Sequence, residues 1–141
     1  MLSQCILIIQ FEGDNRVKMF KKSRDLMAEL EKLGLTYACV ELSETDEMQQ
    51  VWDLRKAGLG LLMGLGKDSR TPAFCEDTAV RVTDLPNYVQ DVQAILNRHD
   101  THCVFYAHAS VGELHFRPII DTTSIEGVTK MKQMAQELQV V

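Results

Sequence analysis

Two of the chain's four histidines, His108 and His115, stand seven residues apart with a Ser110-Val111-Gly112 turn between them. Apolar, β-prone residues flank both sides, so the segment reads as strand, tight turn, strand. On such a hairpin, residues near the turn can lie opposite each other with Cβ atoms roughly 5 Å apart. Two imidazoles so placed can share one divalent ion or polarise a substrate. A catalytic zinc site normally has three protein ligands plus water, so the pair is one ligand short. Glu76, Asp77 and Glu113 are carboxylates near enough in sequence to supply it. The plainer alternative is one buried, hydrogen-bonded histidine and one exposed one. Arg117 follows His115 by two residues and shares its face of the strand. An arginine beside histidine suits a carboxylate clamp or a salt bridge to a helix acid. Arg55, on the helix before a glycine-rich stretch, is a second clamp or an ordinary solvated arginine.

Other groups offer less. Glu76 and Asp77 are adjacent and would point to opposite faces of a strand, so they cannot form one acid/base pair. Ser110 lacks the strand–turn–helix setting of a hydrolase nucleophile. Residues 58–66 are glycine-rich, but Met63 breaks G-x-G-x-x-G and Asp68 after Lys67 breaks the P-loop pattern. His99 and His102 read as surface residues near a helix end, with His99 suited to the helix dipole. Cys5, Cys39, Cys75 and Cys103 form no C-x-x-C pair and read as small buried hydrophobes in a reducing compartment.

These side chains need a scaffold. With 141 residues, 45% hydrophobic and 25% charged, the chain can bury one core. A net charge of −5 argues against nucleic acid as a partner. The cluster Lys21, Lys22 and Arg24 reads as a solvated helix face. No apolar run nears the ~20 residues that cross a bilayer, and residues 1–9 lack the marks of a signal peptide.

Residues 6–11 form an almost continuous apolar run and read as a buried central strand. An amphipathic helix carrying Val17, Phe20, Met27, Leu30 and Leu33 then stops at Gly34. Residues 36–42 look like a second strand. Ser43 or Thr45 caps a helix through Met48, Val51, Trp52 and Arg55, which should fray at residues 58–60. Residues 73–80 make a third strand. Thr83 or Asp84 caps a helix striped with Leu85, Tyr88, Val89, Val92, Ile95 and Leu96, ending at His99 and Asp100. After the histidine hairpin, Thr122, Thr123 or Ser124 starts a last helix whose methionines are core filler. The order is β-α-β-α-β-α-β-β-α. It predicts an α+β, ferredoxin-like sandwich with a largely antiparallel sheet and helices on one face. Both ends lie hard against core elements, so residues 1–141 read as a single domain excised from something longer.

With the hairpin in place, residues 107–115 (A-H-A-S-V-G-E-L-H) resemble the G-H-x-G-D-G-N-x-H segment of FAD-linked oxidases of the D-lactate dehydrogenase, glycolate oxidase and D-2-hydroxy-acid dehydrogenase type. The resemblance is closest to a branch reading A-H-A-S-V-G-x-L-H-x-R-P, found in large oxidases often fused to iron–sulfur modules. Residues 54–64 and 73–80 are similar to the same branch, in the same order.

The resemblance implies the C-terminal, substrate-side domain of a flavoprotein, packed over an FAD that a separate N-terminal domain binds. It implies oxidation of a small 2-hydroxy acid. His108 and His115 match the family's catalytic and metal-binding histidines, which hold a divalent ion such as zinc in its metal-dependent members. The family's third ligand is a glutamate in a later S-G-E-H-G segment, before which this chain stops. Arg55 matches an arginine that binds the substrate carboxylate, with Arg117 as a second substrate-binding residue. Glu113 replaces an asparagine that contacts substrate in the 2-hydroxyglutarate type. Val111 replaces an aspartate, Ala107 a glycine, and Phe74 a lysine that some members carry. The implied parent is cytoplasmic or peripheral to the inner membrane, and the fragment alone is expected to be inactive. The competing expectation is a non-catalytic ferredoxin-like module for ligand binding or assembly, with a structural histidine hairpin.

Overall fold

A computed structural model describes residues 5–63, 71–75 and 77–141. The expected glycine-rich loop beyond residue 63, and Glu76, lie outside them. The chain divides into two compact units, Met1–Trp52 and Asp53–Val141.

The first unit holds helix α1 (Arg16–Lys32) and the start of α2 (Thr45–Met63). Asn15 caps α1 by accepting from the Lys18 amide at 3.0 Å. Gly34 ends it in a left-handed conformation (φ 66°), and the Leu35 amide returns to the Leu30 carbonyl at 3.0 Å. Lys21, Lys22 and Arg24 lie on an exposed face, as expected, with Lys21 2.6 Å from Asp25. The two strands expected here are absent: residues 6–11 and 36–42 carry no ladder, and Ile6, Leu7, Tyr37 and Val40 are exposed. Apolar, β-branched sequence makes a strand only when another strand takes up its backbone groups. The described sheet instead has three strands, all from the second unit. Cys5 is accordingly exposed rather than a small core residue.

The second unit contains the core. Its sheet has the order β1-β3-β2, with β1 at Thr78–Ala79, β2 at Cys103–His108 and β3 at Glu113–Pro118, all antiparallel. Alternation along β2 and β3 sorts the side chains by chemistry. Phe105, Ala107, Leu114, Phe116 and Pro118 turn to one face, and Phe105 stacks on Phe116 with centroids 6.2 Å apart. Against that face lie α3 (Leu85–Arg98), through Tyr88, Val92, Ile95 and Leu96, and α4 (Ile125–Leu138), through Met134. Full burial of each large apolar side chain contributes about 1.5–3 kcal/mol. The molecule is thus mixed α and β, with helices packed on an antiparallel sheet, in the described order α-α-β-α-β-β-α.

Local chemistry sets the helix ends. Ser124 caps α4 by accepting from the Gly127 amide at 3.0 Å. Asp84 sits at the α3 N-cap, but its carboxylate instead holds Arg81 at 2.7 Å. Helix α2 does not fray at residues 58–60 but continues to Met63. Its helical hydrogen bonds outweigh the roughly 1 kcal/mol that each glycine costs.

His99 corrects a second expectation. It is the C-cap of α3, its side chain is 15% exposed, and its Nε2 lies 2.7 Å from Glu137 Oε1 on α4. Packing of α3 on α4 buries what the sequence presents as a surface histidine. His102 is exposed, as expected. Arg98 bonds the other Glu137 oxygen, and the Arg98 and His99 bonds hold the Glu137 carboxyl below the usual carboxylate range. Cys103 accepts a backbone hydrogen bond from Arg117, yet burial pushes its thiol up to about 12. It is an inert core cysteine.

A three-residue 3₁₀ turn, Ala109–Val111, joins β2 to β3 and ends at Gly112 (φ 75°). A Cβ on Gly112 would fall 2.0 Å from the Val80 carbonyl oxygen, and the Gly112 carbonyl accepts from the Val80 amide at 3.1 Å. Gly112→Ala is therefore expected to lose about 1–3 kcal/mol from backbone strain alone, and more from overlap with Val80. The exposed neighbour Val111→Ala should stay within about 0.5 kcal/mol of the parent. Denaturant unfolding checks both, and equal stabilities would contradict this turn geometry.

The depressed Glu137 carboxyl sets a pH dependence. Its contribution is complete above the ordinary carboxylate pKa of roughly 4 and is lost as pH falls through the lower folded value, because the unfolded chain takes up the proton first. Glu137→Gln should flatten the stability profile in that acid window and lower stability near neutral pH. Parallel profiles for both proteins would refute the clamp.

Candidate active site

The face of the hairpin turned away from the core carries the polar residues. Register pairs Val104 with Arg117, Tyr106 with His115 and His108 with Glu113, so all six side chains share this face. His108 and His115 are therefore diagonal neighbours rather than a facing pair. Glu113 stands directly across from His108. The His108 and His115 rings still meet edge to face, with centroids 5.6 Å apart. One histidine is buried and the other exposed, as in the plainer sequence reading, yet the two adjoin.

His115 is the fixed member. Its side chain is 10% exposed, and Tyr106 stacks on the ring with centroids 4.5 Å apart. Its Nδ1 lies 2.9 Å from Asp77 Oδ1 but off the line of a hydrogen bond, so this buried nitrogen has no aligned partner. Asp77 reaches it from a left-handed backbone conformation (φ 58°), which aspartate tolerates better than most residues. On the other side, His115 Nε2 is 3.5 Å from Glu113 Oε1. One donor atom from each of His108, Glu113 and His115 falls within 4.8 Å of the other two. Two imidazoles and one carboxylate at that spacing fit a first-row divalent ion.

Arg55, within the second unit's part of α2, joins this group. Its Nη2 lies 3.4 Å from His108 Nε2, and its guanidinium carbon sits 5.7 Å from the centre of the Tyr106 ring. A planar cation beside the histidines can take a carboxylate in two parallel hydrogen bonds. Arg117 lies on the same face, two residues along from His115, and its Nη1 donates to the Thr71 carbonyl at 3.3 Å.

Four of the five expected site residues thus converge: His108, His115, Glu113 and Arg55. Arg117 shares their face but spends one donor on backbone. Sequence reasoning missed Tyr106, which packs against both His115 and Arg55. The signal was its position two residues before His108 in a strand. Phe74, where some family members carry a lysine, packs against the hydrophobic core.

The chain matches the family described as FAD linked oxidases, C-terminal domain, over residues 2–141. A D-2-hydroxyglutarate dehydrogenase of Escherichia coli is 28% identical over 140 residues, covering 93% of this chain. The one of Pantoea ananatis is 27% identical over 136 residues, again covering 93%. That of Pseudomonas putida is 30% identical over 122 residues, covering 82%. The chain spans 12–13% of the length of these relatives. No solved structure matches it. With the family matched across almost every residue, the chain belongs to the C-terminal domain family of FAD-linked oxidases.

Proposed function

We propose that the chain forms the substrate side of a flavin-dependent dehydrogenase that oxidises a small 2-hydroxy acid. The observation that carries this reading is the convergence of His108, Glu113, His115 and Arg55 on one hairpin face of an FAD-linked oxidase domain. FAD supplies the hydride acceptor and belongs to a separate N-terminal domain of a longer polypeptide, with an iron–sulfur module as a further partner. Oxidation of a 2-hydroxy acid removes a hydride from C2 and a proton from the hydroxyl, leaving the 2-oxo acid.

Each side chain has a part in that change. Arg55 binds the substrate carboxylate, with Arg117 along the strand as a second cationic group on the same face. His108 and His115 polarise or coordinate the hydroxyl, with or without a metal, and its proton leaves to water. Tyr106 stacks on His115 and fixes the ring plane. The two histidines, with a carboxylate, would hold a divalent ion, which lowers the pKa of a bound hydroxyl.

The test is dye-linked oxidation of D-2-hydroxy acids, D-2-hydroxyglutarate among them, by the longer polypeptide that carries this domain. His115→Ala is expected to lower kcat at least ~100-fold while leaving the flavin absorbance intact. Reduction of the flavin by none of these acids, or an unchanged His115→Ala, would defeat the proposal. The 141-residue chain alone should bind no flavin and oxidise nothing, and stoichiometric flavin on it would contradict the division of labour.

A further inference from the structure

We infer that Glu113 is itself a metal ligand, so that His108, Glu113 and His115 make a complete three-donor site for a first-row divalent ion within one hairpin. This rests on the reading of the histidine pair above and goes beyond it. The family resemblance assigns the ion's carboxylate to a separate later segment and gives position 113 an asparagine. It provides no metal role for a glutamate here.

Three observations carry the inference. The first is register: Glu113 faces His108 directly across the strands, with His115 two residues further along the same face. The second is separation. A tetrahedral ion with ligands at about 2.0–2.1 Å holds neighbouring donor atoms roughly 3.4 Å apart. His115 Nε2 and Glu113 Oε1 stand 3.5 Å apart, and one donor atom from each of His108, Glu113 and His115 lies within 4.8 Å of the others. His108 is exposed and Glu113 half-buried, so a side-chain rotation closes the remaining gap.

The third observation is the setting of His115. Its ring is clamped by Tyr106 and nine-tenths buried, and Asp77 stands 2.9 Å from Nδ1. Asp77 stands beside Nδ1 without an aligned hydrogen bond, and on the other side of the ring Nε2 faces Glu113 Oε1. The Arg55 contact at 3.4 Å fits the same picture, since a guanidinium N–H approaches a lone pair on His108 Nε2. A bound ion would use that lone pair, leaving Arg55 for the substrate carboxylate. Three protein ligands leave coordination positions open for the hydroxy acid.

The test uses the 141-residue chain titrated with Co²⁺, read by its visible d–d absorbance, and with Zn²⁺ in competition with a chromogenic chelator. One ion per chain is expected. Glu113→Gln and Glu113→Asn should each weaken binding at least ~10-fold and change the cobalt spectrum, with unchanged circular dichroism showing an intact fold. If either folded Glu113 variant binds as the parent does, the inference fails, although the histidine pair keeps its proposed role. A parent chain that binds neither ion also overturns it. Dye-linked activity of the longer polypeptide is independent of both results, so failure here is distinguishable from failure of the proposed function.

Discussion

The alternation of side chains along β2 and β3 is the constraint on which the rest of this unit depends. A strand presents successive residues to opposite faces, so a shift of one residue in pairing would exchange the two sets. Here one set is Phe105, Ala107, Leu114 and Phe116, and the other is Tyr106, His108, Glu113 and His115. The first must be buried for the unit to fold. The second then has no choice but to converge on the opposite face. Core packing and site assembly are two consequences of a single register. Gly112 enforces that register, because among the described glycines it alone combines a left-handed φ with close approach to another segment's backbone.

The same logic separates rigid from adjustable parts of the site. His115 sits in the middle of β3, held by a ring stack and by the strand itself. His108 lies at the end of β2, next to the turn, and is exposed. Arg55 comes from a helix rather than the sheet, and its long side chain reaches His108 from outside the ladder. The site thus joins a buried imidazole on the sheet to an exposed imidazole beside the turn and a half-buried cation from a helix. The acidic groups Asp77 and Glu113 flank His115 on opposite sides, so its environment is set by two carboxylates.

Much of this was legible in the sequence, for identifiable reasons. The hairpin shows itself because β-prone residues flank a Ser-Val-Gly turn, and the α3 stripe because Tyr88, Val92, Ile95 and Leu96 recur at helical spacing. Glu113 was visible as one of three available carboxylates and, through the resemblance, as a substrate-contact position, but not as the residue facing His108. The exact offset across a turn depends on whether its residues coil into 3₁₀ geometry, and that offset decides whether His115 or Glu113 faces His108. Residues 6–11 misled because hydrophobicity and β-branching report burial on a sheet, not the presence of a partner strand. His99 misled because its burial comes from α4, some 40 residues away in sequence, and no local pattern records that contact.

The central claim is that this register turns one hairpin face into a site rather than a scatter of polar residues. The most direct measurement is anomalous scattering at the zinc absorption edge from crystals of the chain grown with zinc. The account predicts one strong peak about 2.0–2.3 Å from a nitrogen of His108, a nitrogen of His115 and an oxygen of Glu113. A peak elsewhere, or zinc on the histidines with the Glu113 carboxylate turned away, would contradict it.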